Sequence, residues 1–337
     1  MKKYIILAAM LLTSVSVFAA SKKSIVCTTF PQYDWISNIL GTNSGIELTL
    51  LQKNGTDLHS YQPTVKDITK ISACDLFVYI GGESDVWVEK ALKNARNKNM
   101  VVINIMETLG DRVHEEEIVE GMQGEDEHHH DDDDEDEDEH HHHAGEHHHH
   151  DNEEDEEEIE YDEHVWLSLK NAAFLTEVLS GEVAKLDAEK ASVFKANAEA
   201  YILKLNALDK DYEEVVASSK YKTLVFGDRF PFRYLTDDYG LKYYAAFVGC
   251  SAESDASFET VIFLAKKLDE LGLNSIIKIE NSDNKIAKTV VSNTKAKNMQ
   301  ILELDSLQSV TAKEISDGKT YLNTMQKNLA VLKTALN

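Results

Sequence analysis

The chain has 337 residues, with 34 lysines and arginines against 60 aspartates and glutamates, and a formal net charge of −26. So acidic a chain offers nothing to nucleic-acid phosphates, and three cysteines without a CxxC pair exclude a disulfide scaffold. The acidity is local: residues 125–158 hold 20 acidic residues, 11 histidines and no lysine or arginine, and the remainder carries only −6.

In chain order, Lys2 and Lys3 precede eight apolar residues, 5–12, and Val17-Phe18-Ala19 ends in a small residue. This predicts a secretory signal over residues 1–19, cleaved near Ala19 or Ala20 and too short to span a bilayer. A mature chain of about 318 residues is expected outside the cytoplasm, periplasmic, secreted or at the cell envelope, and that length suits two domains. Ser24-Ile25-Val26 before Cys27 is a poor lipidation context, so no lipid anchor is expected. Cys27, Cys74 and Cys250 each lie beside an apolar run and read as buried thiols.

Short apolar runs at 25–29, 47–51, 76–80 and 100–104 read as buried strands. Helical patterns over 65–72 and 86–97 lie between them. The βαβ rhythm predicts a mostly parallel sheet covered on both faces. The stretch 125–158 has almost nothing to bury and reads as solvated disorder. From 171 to 220 the pattern is helical. After Asp187, Ala191, Phe194, Ala198, Tyr201, Leu205, Leu208, Tyr212 and Val215 recur at spacings of 3 and 4. Such a stripe suits a long strut leaning on two lobes, or a short coiled coil. Strands at 223–226, 243–247, 275–279 and 300–304 alternate with helices at 258–271, 285–297 and 320–336. The expected fold is α/β: an N-terminal lobe over 22–187, a connecting helix over 188–219, and a similar C-terminal lobe over 220–337.

Outside the acidic run the histidines are His59, His114 and His164. His114, in "RVHEEE", reads as exposed. His59 follows a strand, in a loop at the carboxyl end of a parallel sheet, where open α/β sheets bind ligands. His164 falls between the acidic run and a helix. Imidazole ligates transition metals.

"GTDLHSYQPTVKDI…ACDLFVYIGGESDVWVEKAL" and "DEHVWLSLKNA" resemble the zinc- and manganese-specific solute-binding proteins of ABC importers. So do "DYGLKYYAAF", "AESDAS", "ELDSL" and "YLNTMQKNLAVL". The resemblance implies two α/β lobes, one connecting helix and one metal ion between the lobes. His59 and His164 match the first lobe's two ligands. The resemblance also implies a His or Glu after the second lobe's first strand. Counting back from Tyr234-Leu235 puts Arg229 there, which cannot ligate a cation, so Asp228 beside it is the expected donor. Asp305 in "ELDSL" matches the fourth ligand, with Glu280 as its rival or as an orienting group. His128, His129, His130, His140, His141, His142, His143, His147, His148, His149 and His150 would add weak auxiliary sites.

The resemblance thus implies capture of Zn²⁺ as transported cargo, with Mn²⁺ as the alternative, and delivery to a membrane permease by a monomer with no organic cofactor and no reaction of its own. Two readings compete. A secreted metallohydrolase needs a general base beside three ligands, and no H-E-x-x-H is present. An adhesin-like or metal-buffering surface protein would rest on the His-rich stretch alone.

Overall fold

The computed structural model describes residues 22–123, 160–251 and 255–337. The expected signal and the 125–158 stretch, with its eleven histidines, lie outside the described residues.

In the first lobe β1 (Ser24–Cys27), α1 (Phe30–Leu40), β2 (Glu47–Leu50), α2 (Val65–Ala73), β3 (Leu76–Tyr79), α3 (Trp87–Lys93), β4 (Val101–Asn104) and α4 (Ile105–Leu109) follow one another. The strands order as β2-β1-β3-β4, all parallel. Ile25, Val26 and Cys27 are buried on both faces of β1, as a central parallel strand requires. Local chemistry starts the helices. Thr29 pairs with Gln32 and Thr64 with Asp67 in capping boxes, and Pro31 lies in the first turn of α1.

Two helices follow, α5 (Leu169–Leu186) and α6 (Ala191–Ser218). The second lobe runs β5 (Thr223–Phe230), α7 (Arg233–Tyr239), β6 (Lys242–Val248), α8 (Phe258–Leu271), β7 (Ser275–Ile279), α9 (Lys285–Asn293), β8 (Gln300–Leu304), α10 (Ala312–Ser316) and α11 (Tyr321–Ala335). Its strands order as β6-β5-β7-β8, again parallel and in the first lobe's pattern. The α/β architecture of two similar parallel-sheet lobes is therefore as the sequence patterning predicts. Among the described residues no helix is long and apolar enough to cross a membrane.

Two local outcomes differ from the periodicity. The helical pattern over 171–220 is interrupted at 187–190, where Asp187 turns its Oδ1 onto the Glu189 and Lys190 amides. The stripe on α6 buries Phe194, Ala198, Tyr201, Leu205, Leu208, Tyr212 and Val216, ending on Val216 rather than Val215. A straight helix of 3.6 residues per turn drifts against a 3.5 repeat, and the buried face walks round with it. Strand β5 continues past 226 to Phe230 through a bulge between Phe226 and Arg229. Gly227 sits in that bulge, where a Cβ would stand 2.7 Å from the Ala287 Cα.

Helix α6 behaves as a strut. Asn197 donates to the Ile39 carbonyl (3.0 Å) and Tyr201 to Asp34 (3.3 Å) in the first lobe. Further along, Tyr212 donates to the Met325 carbonyl (2.6 Å) and Asp209 accepts from Tyr239 (2.8 Å) in the second. One hydrophobic core runs from Ile25 and Trp35 through Trp166, Leu205 and Tyr212 to Leu304 and Tyr321. Cross-lobe hydrogen bonds reinforce it: Trp166 Nε1 to the Ser306 carbonyl (2.8 Å), and the Tyr321 hydroxyl to the Trp166 carbonyl (2.5 Å). The loops leaving the carboxyl ends of β2, β5, β6, β7 and β8 meet between the lobes, the position at which open α/β sheets hold ligands.

Candidate metal centre

His59 rides on a 3-10 turn, Leu58–Ser60, that follows β2. Asp57 caps the turn, accepting the His59 amide at 3.1 Å, and the fully buried Leu58 anchors it. His164 precedes a second 3-10 turn, Val165–Leu167, whose three residues are wholly buried. One oxygen of Asp162 accepts both the His164 amide and its Nδ1, each at 2.8 Å. The two turns bring His59 Nε2 and His164 Nε2 to 3.4 Å.

Each ring is oriented from behind. A carboxylate only accepts, so Asp162 fixes the proton of neutral His164 on Nδ1 and leaves Nε2 with its lone pair. His59 Nδ1 meets Ser84 Oγ at 2.9 Å and Glu163 Oε2 at 3.6 Å. Glu163 Oε1 in turn accepts the Ser84 amide at 2.8 Å. Gly82 makes room for this carboxylate: its φ is +70°, and a Cβ there would fall 2.3 Å from Glu163 Oε1. The rings titrate differently. Burial, then the neighbouring His164, pushes His59 down to about 3. Burial would also depress His164, but the Asp162 carboxylate outweighs it and the ring is raised above its ordinary value.

Among the described residues, the His, Cys, Asp and Glu ligand atoms that gather within 4.8 Å of one another belong to His59, His164 and Cys250. Gln308 Oε1 stands 3.0 Å from His164 Nε2. Asp228, Asp305 and Glu280 are not in this group, and each is engaged elsewhere. Asp228, in the β5 bulge, accepts the Arg229 and Ile279 amides (2.9 and 3.4 Å). Asp305 accepts the Leu307 amide (2.9 Å) and pairs with Lys319 (2.7 Å). Glu280 holds the β8 loop, accepting the Ser306 amide and hydroxyl at 2.7 Å each. Burial, then the charge of Asp305, pushes Glu280 up to about 7. Asp228 and Glu280 instead line a neighbouring cavity of about 300 Å³ with Asp57, Arg229 and Gln308. His114 stands apart, stacked on Tyr234 and 2.9 Å from Asp237. Arg229 bridges the lobes, reaching Asp57 Oδ2 at 2.6 Å.

Sequence reasoning passed over Cys250 and Gln308. Cys27 and Cys74 are indeed buried, but Cys250 is half-buried and directly follows β6, the carboxyl-end position that had drawn attention to His59. Gln308 lies three residues beyond Asp305 in the same loop.

The family model described as "Zinc-uptake complex component A periplasmic" matches residues 25–335. The chain belongs to this zinc-uptake component A family. Zinc-binding protein AdcA of Streptococcus pyogenes is 32% identical over 324 residues, spanning 94% of this chain and 56% of AdcA. The chain thus spans a little over half the length of that relative. The high-affinity zinc uptake system protein ZnuA of Bacillus subtilis is 28% identical, over 94% of this chain and 88% of ZnuA. The crystal structure of the Zn(II)-bound ZnuA-like domain of Streptococcus pneumoniae AdcA superposes with a TM-score of 0.67 at 27% identity, covering 94% of this chain and 99% of that domain. Component A membership agrees with the fold described above, two parallel-sheet lobes with a site between them.

Proposed function

We propose that this chain captures Zn²⁺ outside the cytoplasm and delivers it to the membrane permease of an ABC importer, as a binding protein that performs no reaction. The observation that carries this reading is the facing pair His59 Nε2 and His164 Nε2, 3.4 Å apart, each ring held from behind by an acceptor. A metal-ligating histidine is held in this way, its far ring nitrogen donating to an oxygen that fixes the ring's orientation. The spacing also matches the edge of a zinc tetrahedron, about 3.3–3.4 Å for Zn–N bonds of 2.0–2.1 Å.

Zinc rather than Mn²⁺ fits the donors. Mn²⁺ favours oxygen-rich sites, and the nearby carboxylates Asp228, Asp305 and Glu280 are committed to amides, a hydroxyl and a lysine. Family membership and the zinc-binding relatives support the same reading. The chemistry is ligand exchange, with protons leaving as the ion enters.

The test is metal analysis after dialysis of the protein against equimolar Zn²⁺ and Mn²⁺, repeated on a deletion of 125–158. One tightly held zinc per chain is expected in both. Loss of the tight site on deletion would move the binding function from the cleft to the His-rich stretch.

A further inference from the structure

We propose that the second lobe closes this site with sulfur: the Cys250 thiolate is the third ligand, and the Gln308 amide oxygen is the fourth. The inference rests on the zinc-capture reading and specifies its ligands.

Three independent features point to Cys250. Its sulfur lies within 4.8 Å of a ring nitrogen of His59 and of a ring nitrogen of His164. The loop that carries it is pressed onto the His164 ring: a Cβ at Gly249 would stand 3.2 Å from His164 Cε1 and 2.9 Å from the Phe230 carbonyl. Only glycine before the cysteine permits that approach. Third, His59 and Cys250 line one cavity of about 190 Å³ together with Glu163. Glu163 is only 2% exposed, and its Oε2 has no hydrogen-bond partner. An unpartnered buried carboxylate oxygen beside ligating groups supplies the negative field that a divalent cation needs.

Gln308 completes the set by the same geometry. With Nδ1 of His164 donating to Asp162, the lone pair of Nε2 faces the Gln308 Oε1 at 3.0 Å and the His59 Nε2 at 3.4 Å. Two acceptors turned on the lone pair of His164 Nε2 are matched by a cation held among them. The amide sits in a loop fixed by Glu280 through Ser306 and by Asp305 through Leu307, so these carboxylates position a ligand instead of being one.

Arg229 then has a role that suits its chemistry. Its guanidinium donates to the Ser251 carbonyl (3.1 Å), next to Cys250, and to Asp57 (2.6 Å), which caps the His59 turn. The arginine ties the thiol-bearing loop of one lobe to an imidazole-bearing loop of the other. A set of two nitrogens, one thiolate and one oxygen selects Zn²⁺ over Mn²⁺, since thiolate is a soft donor. On binding, the Cys250 S–H bond breaks, its electron pair goes to the metal, and the proton leaves to solvent.

The test uses the full chain titrated with Co²⁺ alone. A thiolate ligand to Co²⁺ produces a sulfur-to-metal charge-transfer band in the near ultraviolet. The stretch 125–158 contains no cysteine and cannot contribute to that band. The band is expected in the wild type at one equivalent, lost in Cys250→Ser, and retained in Cys27→Ser and Cys74→Ser. Zn²⁺ should bleach it and Mn²⁺ should not. Gln308→Glu should keep the band and Gln308→Ala should weaken Zn²⁺ competition. Misfolding is a rival explanation for band loss in Cys250→Ser, so the wild-type spectrum is decisive by itself. Tight Co²⁺ binding in the wild type without the band overturns the sulfur ligand and leaves zinc capture standing. Absence of any tight equivalent overturns both.

Discussion

The two halves of the cleft are built on different principles. In the first lobe each histidine is fixed by a nearby carboxylate: Asp162, two residues from His164, accepts that residue's amide and its ring Nδ1, and Asp57, two residues from His59, accepts the His59 amide. In the second lobe the charged residues at the strand ends are taken up by backbone amides and Lys319, Asp228 and Glu280 lining the neighbouring cavity, and the groups nearest the imidazoles are a thiol and an amide. A charge at a strand end serves a loop as readily as it serves an ion. Which role it takes depends on the amides around it, some next to it in sequence (Arg229, Leu307) and some brought by the fold (Ile279, Ser306).

The sharpest test of this contrast is removal of an imidazole. His59→Ala and His164→Ala should each weaken tight zinc binding by more than roughly 100-fold, beyond the range usual for supporting residues. His114→Ala, whose ring stacks on Tyr234, should leave affinity unchanged. Isothermal calorimetry with a competing chelator reads both, and an equal defect in the H114A variant would erase the distinction.

Support should matter next. Asp162→Asn should cost roughly 10–100-fold in affinity by freeing the ring tautomer. The same variant changes the pH profile. Asp162 raises His164 above its ordinary value, so of the two imidazoles this is the one at which protons compete with zinc first, and affinity falls further as pH drops through that raised value. His59, held at about 3, adds no competition near neutrality. In Asp162→Asn the fall should move to lower pH. An unshifted profile would mean that the carboxylate does not govern the ring.

The second-lobe carboxylates should matter less. Asp228→Asn should change zinc affinity by no more than a few-fold, and Asp305→Asn should act mainly on stability, by about 1 kcal/mol, through the Lys319 pair and the Leu307 amide. Loss of zinc from Asp228→Asn comparable to that from His59→Ala would restore it as a ligand.

The smallest equilibrium effect is expected from deleting 125–158. Tight affinity should persist, while stopped-flow uptake slows at low ionic strength and the gap closes in high salt, because a local negative field concentrates cations until it is screened. Glu160 and Tyr161, just beyond that stretch, line the cavity shared by His59 and Cys250. Equal rates at both salts would leave the stretch without a part in capture.

Much of the fold was legible because it rests on repetition. Buried apolar runs mark β1, β3 and β7, a partly buried one marks the edge strand β8, and the stripe on α6 marks the strut. The facing pair His59 and His164 was legible because short motifs hold it. The second-lobe arrangement was hidden for physical reasons. Asp228 reads as a loop residue until the bulge carries β5 on to Phe230 and turns its oxygens inward. Asp305 looks free until Lys319, fourteen residues away, claims it. Cys250 reads as packing material because a half-buried thiol and a buried one follow the same apolar run. No spacing rule places a cysteine after β6 beside a histidine nearly ninety residues earlier.

Helix α6 is also a ruler, and that constrains which sequence changes this protein can accept. Its ends are fastened to opposite lobes at Asn197 and Tyr212. Inserting one residue between them would advance the second lobe by about 1.5 Å and swing it by about 100°, carrying Gln308 and Cys250 out of reach of His164. Length variation among natural relatives should therefore be rare within 191–218. Counting insertions and deletions along the chain would measure how rigidly the spacing of the two sheets is inherited.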